Sequence, residues 1–369
     1  MNSKIKNVVS SLVFGVLILS ISLSCWFKPA DAVSEAERRP LAQLPEISFQ
    51  SVLGGQFMSG FEQYAADQFP ERDKFRNLKA LFNYKVFNKL DNNGLFFTEG
   101  HLSKIEYPVN PEMMDNAAEK FSFLYDSFIK EKGAKVYLSL VPDKNFFLAE
   151  KNGYLSIDYN KFASDFREKV PFMTYIDIMN FLSLDDYYRT DSHWKQGSIT
   201  NIAYNLAKAM NTEINTKYQV VNTDIPFYGV YSGQAALSTP PDELSYLTNY
   251  AIENMTVTYY NDNGKKESGS MYVLENAKGK DPYEMFLGGT KWLVEIENPM
   301  AETEKELVLF RDSFGSSIAP LLAQGYKKVS VVDIRYIQSG FVGNFVDFEN
   351  KDVLFLYSTT LINNSSAMK

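Results

Sequence analysis

The sequence predicts an α/β fold of three layers, with helices on both faces of a mostly parallel sheet, a β-rich insertion and an N-terminal apolar helix. Three observations carry this prediction. From Asn110 onward, short apolar runs alternate with stretches of helical period, which is the pattern of strand and helix units in a layered sheet. Between about residues 212 and 303 the alternation gives way to short β-like pieces separated by turn signals. At the N-terminus, Lys4 and Lys6 precede a run without charge from Asn7 to Phe27.

That first run has the layout of an export signal or an anchor, so the protein is expected to be extracytoplasmic. About 20 apolar residues span a bilayer, which favours a retained helix with its basic end inside. Ala30-Asp31-Ala32 also reads as a cleavage site, and secretion after cleavage near Ala32 is the alternative. Cys25 follows Ser22-Leu23-Ser24, a poor lipobox, and reads as a small apolar residue. Residues 1–32 are thus a signal-anchor or signal peptide and 33–56, rich in charge, Pro and Ala, a tether. Residues 57–369 form the expected catalytic domain.

Within that domain, Phe57, Phe61, Tyr64 and Ala65 recur at helical spacing, and after Phe69-Pro70 so do Phe75, Leu78, Leu81, Phe82 and Val86. Two helices should pack ahead of the catalytic core with these stripes buried. A helix carrying Met114, Phe121, Leu124 and Phe128 ends at Gly133, and the strand Val136–Val141 follows. Strands are further expected near Met173–Ile178 and at Leu307–Phe310, Lys328–Val332 and Val353–Tyr357, with helices at Gly197–Met210 and Ser316–Gln324. In the insertion, Met255–Tyr260 reads as a strand and Asn261-Asp262-Asn263-Gly264 as a hairpin turn. The insertion should shape a cleft rather than fold alone, and the end after Leu361 reads as a frayed tail.

The chain has 369 residues, 45% hydrophobic and 22% charged, enough for a large core. Its 45 acidic against 37 basic residues give a net charge of −8, which disfavours nucleic acid as a partner. The single cysteine lies in the N-terminal run, so neither a disulfide nor a zinc–thiolate site is expected in the folded part. Only two histidines are present, and no Walker-type or GxGxxG loop, so neither a metal nor a cofactor is expected.

Chemistry concentrates in two segments. Tyr188-Arg189-Thr190-Asp191-Ser192-His193-Trp194 sets a carboxylate two residues before a histidine, close enough to orient an imidazole for base catalysis. Leu307 to Gly315 is an apolar strand that breaks into a turn bearing Ser313 and then a helix, by analogy with the serine elbow of other hydrolases. Asp191, His193 and Ser313 thus read as a triad for acyl transfer through a serine ester. The backbone N–H groups of Ser313, Phe314 and Gly315, at a helix N-terminus, are the expected oxyanion donors. Asp312 would repel an oxyanion if aimed inward, so it is expected to point away and bond the turn.

Candidate substrate contacts surround these. Lys144 follows a strand's carboxyl end, where open sheets bind ligands, and either contacts substrate or steadies a neighbouring loop. Tyr228 and Tyr231 are candidates for an aromatic platform under a sugar ring, or else part of a tyrosine-rich β edge. Arg335 and Tyr336 either reach substrate or pair with Asp312. His101, after Glu99-Gly100, reads as structural.

These strings resemble the DHHW-motif proteins, which are similar to the SGNH-hydrolase-like domains of the alginate O-acetyltransferases. The resemblance is carried by Arg189 to Trp194, by Asp312-Ser313-Phe314-Gly315 with Pro320 and Leu321, and by Asp333-Ile334-Arg335-Tyr336. Gln63, Tyr64, Asp67, Phe69, Pro70 and Arg72 extend it to the region ahead of the domain. Ser192 stands where the family name places its first histidine, and Arg311 replaces the small residue usual before the serine turn. The resemblance implies an SGNH-like three-layer fold. It also implies that acetyl groups, delivered by a multispanning membrane acyltransferase, pass through Ser313 to a hydroxyl of an exported polysaccharide or cell-envelope glycan. Two alternatives stand beside this expectation: a carbohydrate acetylesterase with the same triad, and a catalytically idle surface protein that binds glycan or acts as a scaffold.

Overall fold

The computed structural model describes residues 3–261 and 263–369. The chain divides into two compact units, one running from the N-terminus through Asn92 with Ser232–Ser238, the other comprising Asn93–Tyr231 and Thr239–Lys369. The division falls after Asn92 rather than at residue 57.

In the first unit, α1 (Ser3–Phe27) contains a 22-residue stretch, Lys4–Cys25, long and apolar enough to cross a membrane. Short strands β1 (Val33–Ser34) and β2 (Arg39–Pro40) then pair antiparallel. Helices α2 (Phe49–Leu53), α3 (Gln56–Asp67) and α4 (Arg72–Lys85) follow. Part of the expected tether is therefore built in, with Ser34 and Leu41 buried. Charge holds it there. Arg39 grips Asp67 with two hydrogen bonds of 2.9 and 2.6 Å, and this pairing holds the Asp67 carboxyl down to about 2. Arg72 and Arg76 both pair with Glu37.

The apolar stripe of α4 is not core, contrary to the sequence expectation. Its buried residues are Ala80 and Asn83, while Phe75, Leu78, Leu81, Phe82 and Val86 are exposed.

The second unit opens with the hairpin β3 (Leu95–Thr98) and β4 (His101–Lys104), which buries His101 with its Nδ1 3.0 Å from the Glu99 carbonyl. The remaining strands are β5 (Lys135–Val141), β6 (Thr174–Tyr175), β7 (Gln219–Phe227), β8 (Asp242–Thr248), β9 (Thr256–Tyr260), β10 (Lys266–Ser268), β11 (Leu293–Glu297), β12 (Glu306–Arg311), β13 (Lys328–Val332) and β14 (Asp352–Ser358). Helices are α5 (Pro111–Leu124), α6 (Asn145–Leu148), α7 (Tyr159–Lys169), α8 (Thr200–Ala209), α9 (Val230–Ala235), α10 (Tyr250–Glu253), α11 (Phe314–Leu322) and α12 (Thr359–Asn363).

The main sheet has the order β10-β9-β11-β13-β12-β14-β5-β6. From β13 to β6 neighbouring strands are parallel. The strands β9, β10 and β11 extend the same sheet antiparallel, so much of the insertion is an edge of the core sheet rather than only a rim on the cleft. Side-chain alternation along β12 explains the layering. Leu307 and Leu309 pack with Ile202 and Leu206 of α8 and Ile318 of α11. Val308 and Phe310 face the other way, toward Phe121 of α5 and Phe162 and Phe166 of α7.

Two further details depart from expectation, and one agrees with it. The strand near Met173 shrinks to Thr174–Tyr175. The hairpin between β9 and β10 forms as expected, and Asp262 of the expected turn sequence lies outside the described residues. The C-terminal segment is docked, not frayed: Asn363 Oδ1 accepts from Asn110 N at 2.7 Å, and Lys369 N donates to Ile334 O at 2.9 Å.

Candidate active site

Strand β12 ends at Arg311, and Ser313 occupies the position just before α11 with φ −62° and ψ −25°. This is ordinary right-handed backbone, so the turn lacks the strain of a serine elbow. Serine favours that position because its hydroxyl can cap the helix. Here the Ser313 hydroxyl makes no cap, and Asp312 does so instead: its Oδ1 accepts from Phe314 N at 3.0 Å and its Oδ2 from Ser358 N at 2.8 Å. The Asp312 carboxylate is thereby spent on the turn, and the Ser313 hydroxyl is released for other work. Arg311 fits beneath the turn because residue 315 is glycine, where a Cβ would sit 2.4 Å from the Arg311 Cβ. Its guanidinium donates to Asp333 at 3.1 Å.

His193 is brought to this serine from the loop after β6. Its Nδ1 stands 2.6 Å from Asp191 Oδ1 and its Nε2 2.7 Å from Ser313 Oγ. An ionised carboxylate can only accept, which assigns the ring proton to Nδ1 and leaves Nε2 to accept the serine proton. Asp191 is fully buried, whereas Ser313 is partly open to solvent. The three residues singled out from sequence therefore converge.

The insertion braces this arrangement. Val230 N donates to Asp191 Oδ2 at 2.9 Å, and Gly229 N donates to Thr190 Oγ1 at 2.9 Å. Gly229 is needed for that approach, since a Cβ there would lie 2.4 Å from Asp191 backbone atoms. Asp242, also buried, accepts from Arg189 N, Thr190 N and Thr190 Oγ1 at 2.9, 2.8 and 2.6 Å. The Tyr283 ring stacks on the imidazole, and its hydroxyl donates to Ser317 Oγ at 2.8 Å. Trp194 ties the histidine loop to α11 through Nε1, which donates to Ser317 Oγ at 2.9 Å and lies 3.2 Å from Phe314 O. Sequence reasoning missed Gly229, Val230, Asp242 and Tyr283 as parts of the site. Nothing local marks them, because each acts on a residue distant in the chain.

The alternatives left open for the other candidates are placed as follows. Lys144 is buried and steadies a loop rather than meeting substrate: its Nζ donates to Tyr188 O at 2.8 Å and Arg189 O at 3.2 Å. Burial pushes its ammonium down to about 7, against the pull of Asp191, Asp242 and Asp143. A neutral amine retains two N–H groups, enough for both carbonyls. Tyr231 is also buried, its ring centroid 5.2 Å from Lys144 Nζ, and cannot serve as a sugar platform. Tyr228 is 55% exposed and is the member of that pair with an accessible ring. Arg335 is committed to Asp333, at 2.9 and 2.7 Å, rather than to Asp312 or a substrate. Tyr336 is exposed beside it, with the Arg335 guanidinium 5.3 Å from its ring centroid. Of the expected oxyanion donors, Phe314 N is taken by the Asp312 side chain and Gly315 N by Asp312 O at 3.1 Å. The Ser313 amide is the one of the three left for an oxyanion.

Fold and site together define an α/β protein with a serine, histidine and aspartate in hydrogen-bonded series at the carboxyl end of a parallel sheet. The chain is similar in structure to a DHHW family protein from Eubacterium siraeum DSM 15702, with a TM-score of 0.60 and 19% identity over 75% of this chain and 94% of that one. It is likewise similar to PatB1 from Bacillus cereus, solved with a sulfonyl adduct, with a TM-score of 0.58 and 19% identity over 73% of this chain and 97% of that one. The O-acetyltransferase domain of Pseudomonas putida AlgJ aligns with a TM-score of 0.45 and 13% identity over 73% and 92% of the two chains. The family that the motifs resemble is thus represented among its structural neighbours. No protein-family model and no curated protein matches the chain.

Proposed function

We propose that this chain is an extracytoplasmic O-acetyltransferase of SGNH-like type that carries acetyl on Ser313 and passes it to a hydroxyl of an exported polysaccharide or cell-envelope glycan. The observation that supports this reading is the continuous series Asp191–His193–Ser313 at 2.6 and 2.7 Å. In the first half-reaction His193 Nε2 takes the Ser313 proton as Oγ attacks the acetyl carbonyl carbon. The Ser313 amide and the positive end of α11 stabilise the oxygen that becomes negative. The imidazolium, held by Asp191, returns its proton to the leaving oxygen of the donor, and acetyl-serine remains. In the second half, Nε2 takes a proton from the glycan hydroxyl, whose oxygen attacks the acetyl carbon, and Ser313 Oγ leaves with the proton. The donor in this reading is presented by a multispanning membrane acyltransferase partner.

Hydrolysis by the same triad is a second reading, favoured by the partial exposure of Ser313, which admits water. Incubation with an acetyl ester and a panel of envelope oligosaccharides, followed by mass spectrometry of the sugars, separates the two. A bound acceptor gains an effective concentration of up to about 10⁵ M, so a true acceptor diverts acetyl from water. Brisk ester hydrolysis with every sugar unmodified would establish the esterase instead.

A further inference from the structure

Helix α4 is amphipathic in the sense opposite to a core helix. Its inward face is polar. Arg76 pairs with Glu37 and donates to the Gly233 carbonyl, Asn77 donates to the Ala236 carbonyl at 3.0 Å, and Asn83 donates to Asn92 Oδ1 at 2.9 Å. Its outward face carries Phe75, Leu78, Phe82 and Val86, which fall on one stripe at helical spacing and are 53%, 49%, 47% and 58% exposed. The segment leading into α3 has the same character, with Ile47, Phe49 and Leu53 each more than 70% exposed. Clustered apolar exposure along one helix face marks a place where something other than water is met.

Two features identify what is met. The first is charge. Between Arg72 and Lys89 the only carboxylate is Asp73, and helical spacing sets Lys79 on one flank of the stripe and Lys85 on the other, beside Lys74, which pairs with Glu71 at 2.6 Å just ahead of the helix. Lysines on both flanks suit a lipid interface, where the alkyl stem lies along acyl chains and the ammonium reaches phosphate. They do not suit a second copy. A two-fold contact over this stripe would set lysines against lysines, with too few carboxylates to match them. The second feature is continuity. The same unit begins with α1, which exposes apolar side chains along its length and has the dimensions of a membrane span.

We propose that α2 and the outward stripe of α4 lie in the interfacial layer of the bilayer that α1 enters, with the aromatic and aliphatic side chains at the acyl boundary and the lysines at anionic headgroups. This rests on the reading of α1 as a membrane anchor. The inversion of α4 follows directly. Its polar face is satisfied by the ion pairs and carbonyls of its own unit, and its apolar face is satisfied by lipid.

The test uses the full chain with Cys25→Ser and a single new cysteine, Leu78→Cys or Phe82→Cys, carrying an environment-sensitive fluorophore, with Lys208→Cys as an exposed control. Each is reconstituted in liposomes of phosphatidylethanolamine and phosphatidylglycerol, with or without brominated acyl chains, and floated on a density gradient. The expected result is flotation, with labels at positions 78 and 82 quenched by brominated lipid several-fold more than at 208 and shielded from aqueous iodide. Flotation with labels as open to iodide as the control overturns the proposal while leaving the anchor in place. Shielding from iodide without quenching by lipid also overturns it, because a protein surface then covers the stripe. Failure to float rejects both the anchor and the lipid-bound stripe.

Discussion

The Tyr283 ring lies flat on the His193 imidazole, with centroids 3.8 Å apart and planes within 8°. Tyr283 belongs to the insertion, so that segment supplies one wall of the histidine's position as well as strands to the sheet. The stack fixes the plane in which Nδ1 meets Asp191 and Nε2 meets Ser313.

Aromatic pairs of this kind contribute about 0.5–1.5 kcal/mol. Tyr283→Leu, which removes the ring, should lower kcat/KM for acetyl-ester cleavage by roughly tenfold, whereas Tyr283→Phe, which keeps the stack and loses only the bond to Ser317, should lower it by about twofold or less. Equal losses in the two variants would assign the effect to the hydroxyl instead.

Triad members act as a unit, so Ser313→Ala and His193→Ala should each slow turnover of p-nitrophenyl acetate by about 10³-fold, and the double variant should be scarcely slower than either. Rates unchanged from the parent would leave only background hydrolysis and favour an idle scaffold.

Gly229→Ala places a methyl group within 2.4 Å of Asp191 backbone atoms, which must then move. The expected outcome is a fall in kcat of about tenfold or more with the secondary structure intact by circular dichroism, since a shift of about 1 Å in a positioning group can cost 10²-fold. Retention of full activity would show that the Asp191 loop adjusts freely.

Glu106 carries the pH dependence that is easiest to isolate. Burial, and then repulsion from Asp143, pushes its carboxyl up to about 7 from 4.5, against Lys104 and Asn363. Because the folded value lies above the unfolded one, the folded state holds a proton that the unfolded chain releases between these pH values. The stabilisation is therefore complete below pH 4.5 and is lost as pH rises through 7. A shift of this size corresponds to roughly 3 kcal/mol. In urea denaturation, Glu106→Gln should gain on the parent protein steadily from pH 4.5 to 7 and then hold a constant lead. A difference that does not vary with pH would rule this assignment out.

The sequence by itself determined the elements whose pattern is local. The runs Val136–Val141, Leu307–Phe310, Lys328–Val332 and Val353–Tyr357 appear as β5, β12, β13 and β14 almost residue for residue, because a strand buried on both faces must be apolar throughout. Asp191 and His193 were legible for the same reason, since two residues apart is close enough for a carboxylate and a ring nitrogen to meet without help from the rest of the chain. Tertiary structure decided everything that depends on where a side chain points once distant segments meet. Lys144 and Tyr231 turned inward to brace the histidine loop, Phe314 lost its amide to Asp312, and β9 to β11 joined the main sheet. The apolar period of α4 shows the limit most clearly. Periodicity specifies that one face differs from the other, but which face is covered depends on what the fold offers each side, and here ion pairs and carbonyls took the polar one.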